Sequence, residues 1–485
     1  MKIVDIKNLF LNNIGVRQTV FKNTFWLAFS EALSRFLEFI LIIYIIRALG
    51  AVDFGTFSFA LAFVSLFSIA SDFGLSDIAT RELSQDEEVE REYSAIFSLR
   101  LILAAAVFVL ILFFSFFVTK EFPLRFIIWI LGGYALINEF FSIIYAFLRA
   151  RQKMEYEFGI KVIRALAMVV IIFFVLFKIS SIRNICYGYL LSNLAVLIFV
   201  LFIFHFKIQS LRFDFDKKIW KKFLRISWPL GAAAIFGAIF VSIDLVIMGF
   251  FSQIAQAGFY NASKKIIVIT TIPAMLIYMS FFPPLSKFFK DSKEKFHKMW
   301  DYYMKLMIIL ALPAVVGGWA FASRIINLAY GQQFSPSIIV FQILIFMAGI
   351  NFVYNPYILV LIVSGQQKKY LIVNLIGAVV NVCLNLVLIP RYNFYGAAVS
   401  AVVTYVVLFF LAKKFSEKIV PVSSPGSGLV KTSAIAVISS LAMLAVILQP
   451  LIYNLNVVLA VAIGILIYFS FSFFLAKNIF KISLL

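Results

Sequence analysis

Stretches of about twenty apolar residues recur along the whole chain, parted by short polar turns, and this pattern decides most of what the chain can fold into. A helix rises 1.5 Å per residue, so about twenty residues cross the ~30 Å hydrocarbon layer of a bilayer. Fourteen such stretches are readable, at approximately 24 to 46, 54 to 79, 95 to 118, 124 to 148, 158 to 177, 184 to 206, 226 to 250, 255 to 285, 301 to 322, 336 to 362, 370 to 389, 395 to 412, 431 to 449 and 452 to 475. With 63% of 485 residues hydrophobic and 14% charged, no soluble core encloses this much apolar surface. The expected fold class is an all-α polytopic membrane protein.

The basic residues set an orientation. Alternating sides along the fourteen spans puts 32 of the 43 Lys and Arg on the N-terminus, even-numbered loops and C-terminus, and 7 on the odd-numbered loops. The remaining four, Arg35, Lys264, Lys265 and Lys305, are read as lying inside spans. Under the positive-inside rule this places both termini in the cytoplasm of a cell membrane protein. The same distribution accounts for the net charge of +20 without nucleic acid, since no soluble basic face exists. The acidic run 86 to 92 reads as a solvated loop, and the first span as a retained signal anchor.

Two turns resemble one another: RALGAVDFGTFSFA at 47 to 60 and MGFFSQIAQAGFYNASKK at 248 to 265. Their six-span offset suggests two six-helix halves. The expected organisation is an N-terminal lobe over 1 to 206, a basic connection over 207 to 225, a C-terminal lobe over 226 to 412 and a terminal helix pair over 413 to 485. Asn351, Asn355 and Pro356 are expected to interrupt the tenth span.

Those turns, with SDFGLSDIATREL at 71 to 83, LRARQKMEY at 148 to 156, IDLVIMGFFSQIAQAGFYNASKK at 243 to 265 and NLVLIPRYNFYGAAVSAV at 385 to 402, resemble in order and spacing the polysaccharide transporter family of lipid-linked oligosaccharide and O-antigen-type flippases. The superfamily also holds multidrug and toxin extrusion antiporters and lipid II flippases. The resemblance implies two six-helix lobes forming a V around a central cavity. It implies a polyprenyl-diphosphate oligosaccharide substrate, moved between leaflets by alternating access for cell-surface polysaccharide synthesis. Fourteen spans instead of twelve resembles the lipid II branch.

Charge inside a span costs at least ~2.5 to 3.5 kcal/mol, so such residues normally face a bundle interior or a wet cavity. Glu31, Arg35 and Glu38 stand four and three residues apart on one helical face. They read either as a structural cluster or as a diphosphate and coupling-ion site, Arg35 binding phosphate and the acids exchanging H+ or Na+. Asp72 and Asp244 are further ion-coupling candidates; Glu139 is deep and needs a partner from another helix. Lys264 and Lys265 read as snorkelling cations or as phosphate ligands. Asn351, Asn355 and Asn381 are candidates for binding sugar hydroxyls, with interhelical adhesion as the competing role of the Asn374, Asn381 and Asn385 stripe.

Cys186 and Cys383 have no paired spacing, and His205 and His297 read as interfacial. No phosphate-binding Gly loop, metal-spaced group or nucleophile elbow is present in the sequence, so no cofactor and no ATP are expected. The expected protein is a monomeric transporter in contact with membrane lipid, not an enzyme. A multidrug or lipid II exporter of the same superfamily and an integral membrane polymerase are the alternatives.

Overall fold

A computed structural model describes residues 15–82, 89–204, 206, 213–419 and 427–477. His205, residues 86–88 of the acidic run and both chain ends fall outside these. The described residues are helical throughout, with no strand among them. Among the described residues, eleven helices are long and apolar enough to cross a membrane, and the chain divides into two compact units, 1–257 and 258–485.

The first unit holds α1 (Val16–Asp72), α2 (Leu75–Glu82), α3 (Val89–Val118), α4 (Phe122–Ala150), α5 (Met154–Lys178), α6 (Ile182–Ile203) and α7 (Lys217–Phe250). α1 packs along α3, α4, α5 and α7. The turn expected at 47 to 53 narrows to a single break at Gly50 (φ 71°, ψ −176°), where the two helices within α1 meet. Helical hydrogen bonding satisfies the backbone better at membrane depth than an open turn does. α7 likewise begins at Lys217, well before the expected 226, where Asp216 accepts the backbone N–H groups of Lys218 (2.8 Å) and Ile219 (3.4 Å) as an N-cap.

Apolar side chains gain little from leaving lipid for protein, so close contact and polar pairing carry helix association. α7 exploits this with two glycines. A Cβ on Gly249 would stand 2.0 Å from the Phe59 ring of α1. One on Gly231 would stand 2.7 Å from the carbonyl oxygen of Phe73, just after α1 ends. An aromatic core that includes Tyr93, Phe97, Phe141, Phe147, Phe204 and Phe223 fills the space among α3, α4, α6 and α7.

The second unit takes most of α8 (Ile254–Thr270), then α9 (Ile272–Asp291), α10 (Lys293–Ala320), α11 (Ala322–Tyr330), α12 (Ser337–Val363), α13 (Gln367–Glu417), α14 (Ser427–Ile447), α15 (Pro450–Tyr453) and α16 (Val457–Leu475). The single span expected at 255 to 285 falls within one candidate crossing, Ile254–Asp291, interrupted only at Thr271, two residues before Pro273, whose ring denies a hydrogen bond to the turn behind it. The expected interruption at Asn351, Asn355 and Pro356 is absent: α12 passes straight through. Asn355 Nδ2 bonds the Asn351 carbonyl at 2.9 Å, and Trp300 Nε1 of α10 bonds the Pro356 carbonyl at 3.1 Å. α13 breaks at Asn393 (φ 52°, ψ −139°). The terminal helices dock on α10, with the Tyr468 hydroxyl donating to the Ile309 carbonyl at 2.7 Å. Arg324 donates to the carbonyls of Tyr453 and Leu455.

Candidate functional site

α1 and α5 meet along two matching rows of charge. Glu31, Arg35 and Glu38 on α1 are spaced four and three apart, and so are Glu157, Lys161 and Arg164 on α5. Each row therefore keeps to one helical face. Lys161 joins the rows, with Nζ 3.0 Å from Glu157 Oε1 and 3.5 Å from Glu31 Oε2. Arg35 Nε donates to Glu31 Oε1 at 2.7 Å. Arg149, near the end of α4, grips both oxygens of Glu157, donating from Nε at 2.8 Å and from Nη2 at 2.6 Å. Glu157 is completely buried, whereas the side chains of Arg35, Arg149 and Glu31 stay about one third exposed at 39%, 33% and 32%.

Arg164 extends the network across α4 and α6. It donates to Asn193 Oδ1 at 3.0 and 2.8 Å, to the Tyr145 hydroxyl at 3.3 Å and to Asn138, and its guanidinium lies 4.0 Å from the Phe141 ring centre. Glu38 is exposed and interacts electrostatically with Tyr134 and Tyr189. The four cations Arg35, Arg149, Lys161 and Arg164 face the three anions Glu31, Glu38 and Glu157, leaving one positive charge. The α1 row alone is net negative; folding reverses its sign. Lys22 and Glu155, 3.0 Å apart on the same two helices, add a balanced pair.

A second cluster is deeper. Arg100 of α3, 1% exposed, contacts Asp72 at 2.8 Å and Glu139 at 2.5 Å through a single nitrogen, Nη2. Its Nη1 donates to Ser76 Oγ at 2.6 Å and to Ser142 Oγ at 3.4 Å. Asp72 Oδ1 also accepts from Ser76 Oγ at 2.5 Å and Ser76 N at 3.3 Å.

The other candidates have local partners. Asp244 is 3% exposed in α7, with Oδ1 accepting the N–H of Leu245 at 2.8 Å. In the second unit, Lys264 and Lys265 are half-buried, the Lys264 ammonium 5.4 Å from the Tyr260 ring centre. Asn351 and Asn355 bond each other at 3.0 Å, and Asn351 also bonds the Tyr405 hydroxyl at 3.5 Å. Asn381, 2% exposed, accepts from Asn385 at 3.0 Å and donates to Thr404 at 3.4 Å, an arrangement that binds the two halves of α13 together.

The charge tally by loops credited Arg100, Lys161 and Arg164 to the polar turns; all three lie inside helices, within α3 and α5. The missed signal is in the sequence: the spacing of Glu157, Lys161 and Arg164 repeats that of Glu31, Arg35 and Glu38.

Fold and site together define a multi-pass helical membrane protein whose chemistry is set among its apolar helices. The chain belongs to the polysaccharide biosynthesis protein family, whose pattern matches residues 20–289. It is 21% identical to the probable low-salt glycan biosynthesis flippase Agl15 of Haloferax volcanii, over 76% of this chain and 78% of that protein. The probable flippase AglR of the same organism is 26% identical over 40% of this chain and 43% of its own. Among solved structures, a lipid II flippase MurJ in an inward closed conformation superposes with a TM-score of 0.75 at 15% identity, covering 93% of this chain and 99% of that one. A multidrug resistance MATE family transporter in an inward-facing conformation gives 0.65 at 14% identity, over 80% and 96%. The chain therefore has the fold these transporters share.

Proposed function

We propose that the protein is a flippase, a transporter and not an enzyme, that carries a polyprenyl-diphosphate-linked oligosaccharide from the cytoplasmic to the outer leaflet of a cell membrane. The observation that carries this reading is the net positive charge of the α1 and α5 network, set inside apolar helices of a chain from the polysaccharide biosynthesis family. A diphosphate supplies the missing anion. Guanidinium groups bind phosphate oxygens through two bonds at once, and Arg35 and Arg149 retain the exposure needed to reach one. Glu31 and Glu157 hold the cations while no substrate is present, so binding exchanges partners instead of burying new charge.

Fourteen spans in two six-helix lobes and a terminal pair, working by alternating access with both termini cytoplasmic and a monomeric chain, complete the reading. Coupling to an ion gradient fits carboxylates that share cations with one another and can exchange partners.

Flipping of a fluorescent polyprenyl-diphosphate oligosaccharide in proteoliposomes tests it. Arg35→Ala is expected to slow flipping about tenfold or more, the equivalent of one charge-assisted hydrogen bond, while reaching the membrane in normal amount. Undiminished flipping by both Arg35→Ala and Glu38→Gln sinks the proposal, as does transport of the cation ethidium in place of the anionic lipid.

A further inference from the structure

The Arg100 cluster is separate from the α1 and α5 network and has a charge problem of its own. Two carboxylates share one nitrogen of one guanidinium, so with both ionised the cluster holds an excess negative charge among apolar helices. The charged groups acting on Glu139 are Arg100 and Asp72, with Ser71 as its further hydrogen-bond partner. Arg100 Nε is buried and bonded to nothing among the described residues, so the guanidinium is not saturated. Beside Glu139 lies a cavity of about 10 Å³, room for about one water molecule, with Ser68 and Ser71 on its wall and Ala104, Phe108 and Gly132 making it otherwise apolar. A water held there would connect the Glu139 carboxyl to a proton source.

The two carboxyls are not equivalent. Asp72 accepts from Arg100 and twice from Ser76, and its side chain is 31% exposed; Glu139 accepts from Arg100 and Ser71 and is 15% exposed. The carboxyl with fewer donors and less water is the one that gains most from neutralisation. Asp72 also occupies a joint. It is the last residue of α1, followed by Phe73 (φ 45°) and Gly74 (φ 74°) in left-handed conformations before α2 begins. Gly74 in turn touches α7 so closely that a Cβ there would stand 2.9 Å from Gly231 N, two residues beyond Pro229.

We propose that Glu139 is a proton-binding site, and that Arg100 relays its state to the α1–α2 joint by shifting between two carboxylates and one. On protonation, Glu139 takes a solvent H+ relayed through the cavity water, which is left neutral, its ion pair with Nη2 ends, and Arg100 pairs with Asp72 alone. On release the proton returns to water and Arg100 is shared again. Because Asp72 also holds Ser76 in the first turn of α2, a stronger grip on Asp72 changes the angle that the joint presents to α7. The inference rests on the transport reading for its purpose, as the proton half of the coupling, but not for its existence.

Two measurements keep these apart. The first titrates tryptophan fluorescence and melting temperature of the purified full-length protein in sodium-free detergent solution, from about pH 5 to 9. The wild type is expected to show a one-proton transition. Glu139→Gln is expected to lack it and to hold the low-pH value throughout, and Glu139→Asp to move its midpoint by about one pH unit. A wild-type midpoint surviving in Glu139→Gln, or a transition removed by Asp72→Asn but not by Glu139→Gln, overturns the assignment. The second imposes a pH gradient on proteoliposomes carrying the lipid-linked oligosaccharide. Acceleration in the wild type and its loss in Glu139→Gln support the proposal, and flipping driven by a sodium gradient alone overturns the coupling role. If wild-type vesicles flip nothing, the transport reading fails while the fluorescence titration still judges the proton site.

Discussion

The two units solve the same problem, polar groups among apolar helices, by different chemistry. In the first, ion pairs run between helices: Lys22 to Glu155, Arg100 to Asp72 and Glu139, Arg149 to Glu157, and Lys161 to Glu31. In the second, the pairs Lys298–Glu294, Lys305–Asp301 and Lys413–Glu417 each close one turn of their own helix. Contacts between segments there include amides and hydroxyls such as Asn381 with Thr404 and Ser263 with the Ser337 carbonyl, and Arg324 meets backbone carbonyls instead of a carboxylate. An ion pair gives up one partner for another when charge arrives. An amide pair has no such alternative and serves as adhesive. The contrast makes the first unit the responsive one and the second the scaffold.

The sharpest way to break this comparison is to delete the anion on which two cations converge. Glu157→Ala leaves Arg149 and Lys161 facing each other beside a fully buried position. It is expected to cost about 3 to 5 kcal/mol, read as a large fall in melting temperature in detergent, and a loss under 1 kcal/mol would end the idea that this network organises the unit. Asn381→Ala in the second unit removes the bond to Thr404 across the break in α13 and is expected to cost about 0.6 kcal/mol, the usual worth of an interhelical polar contact in a membrane protein. A cost equal to that of Glu157→Ala in the same melting experiment would erase the distinction. At the far end stands Lys298→Ala, both members of its pair about three-quarters exposed at 77% and 76%. No measurable change in melting temperature is expected at neutral pH. The hydrogen bond from Lys298 holds the Glu294 carboxyl below its ordinary value of 4.5. Its small contribution is therefore complete above about pH 4.5 and fades as pH falls through the lowered value, so the variant and wild type should converge further in acid.

Much of the helical scaffold was legible because an apolar run of twenty residues has few other fates. What was not legible came from the same source. The ends of such runs float by several residues, and Arg100, Lys161 and Arg164 stand within that margin, so they were counted with the loops. Polar turns such as 47 to 53 read as loops by composition, yet a helix that satisfies its own backbone needs only one permissive residue, Gly50, to change direction. Pro356 looked like a break because its missing N–H was visible in the sequence and the Trp300 donor that supports the same turn was not. The partnership of Glu139 with Arg100 spans 39 residues and that of Glu31 with Lys161 spans 130; only the fold brings such pairs together.

That last separation has a consequence for how the protein is made. The first helix leaves the ribosome carrying Glu31, Arg35 and Glu38 with only one another as partners, and Lys161 follows 130 residues later. At about 5 to 20 residues per second, the wait is roughly 7 to 26 seconds. During that interval the three charges can neutralise only one another, and the bridge from Glu31 to α5 closes only after Lys161 has been made.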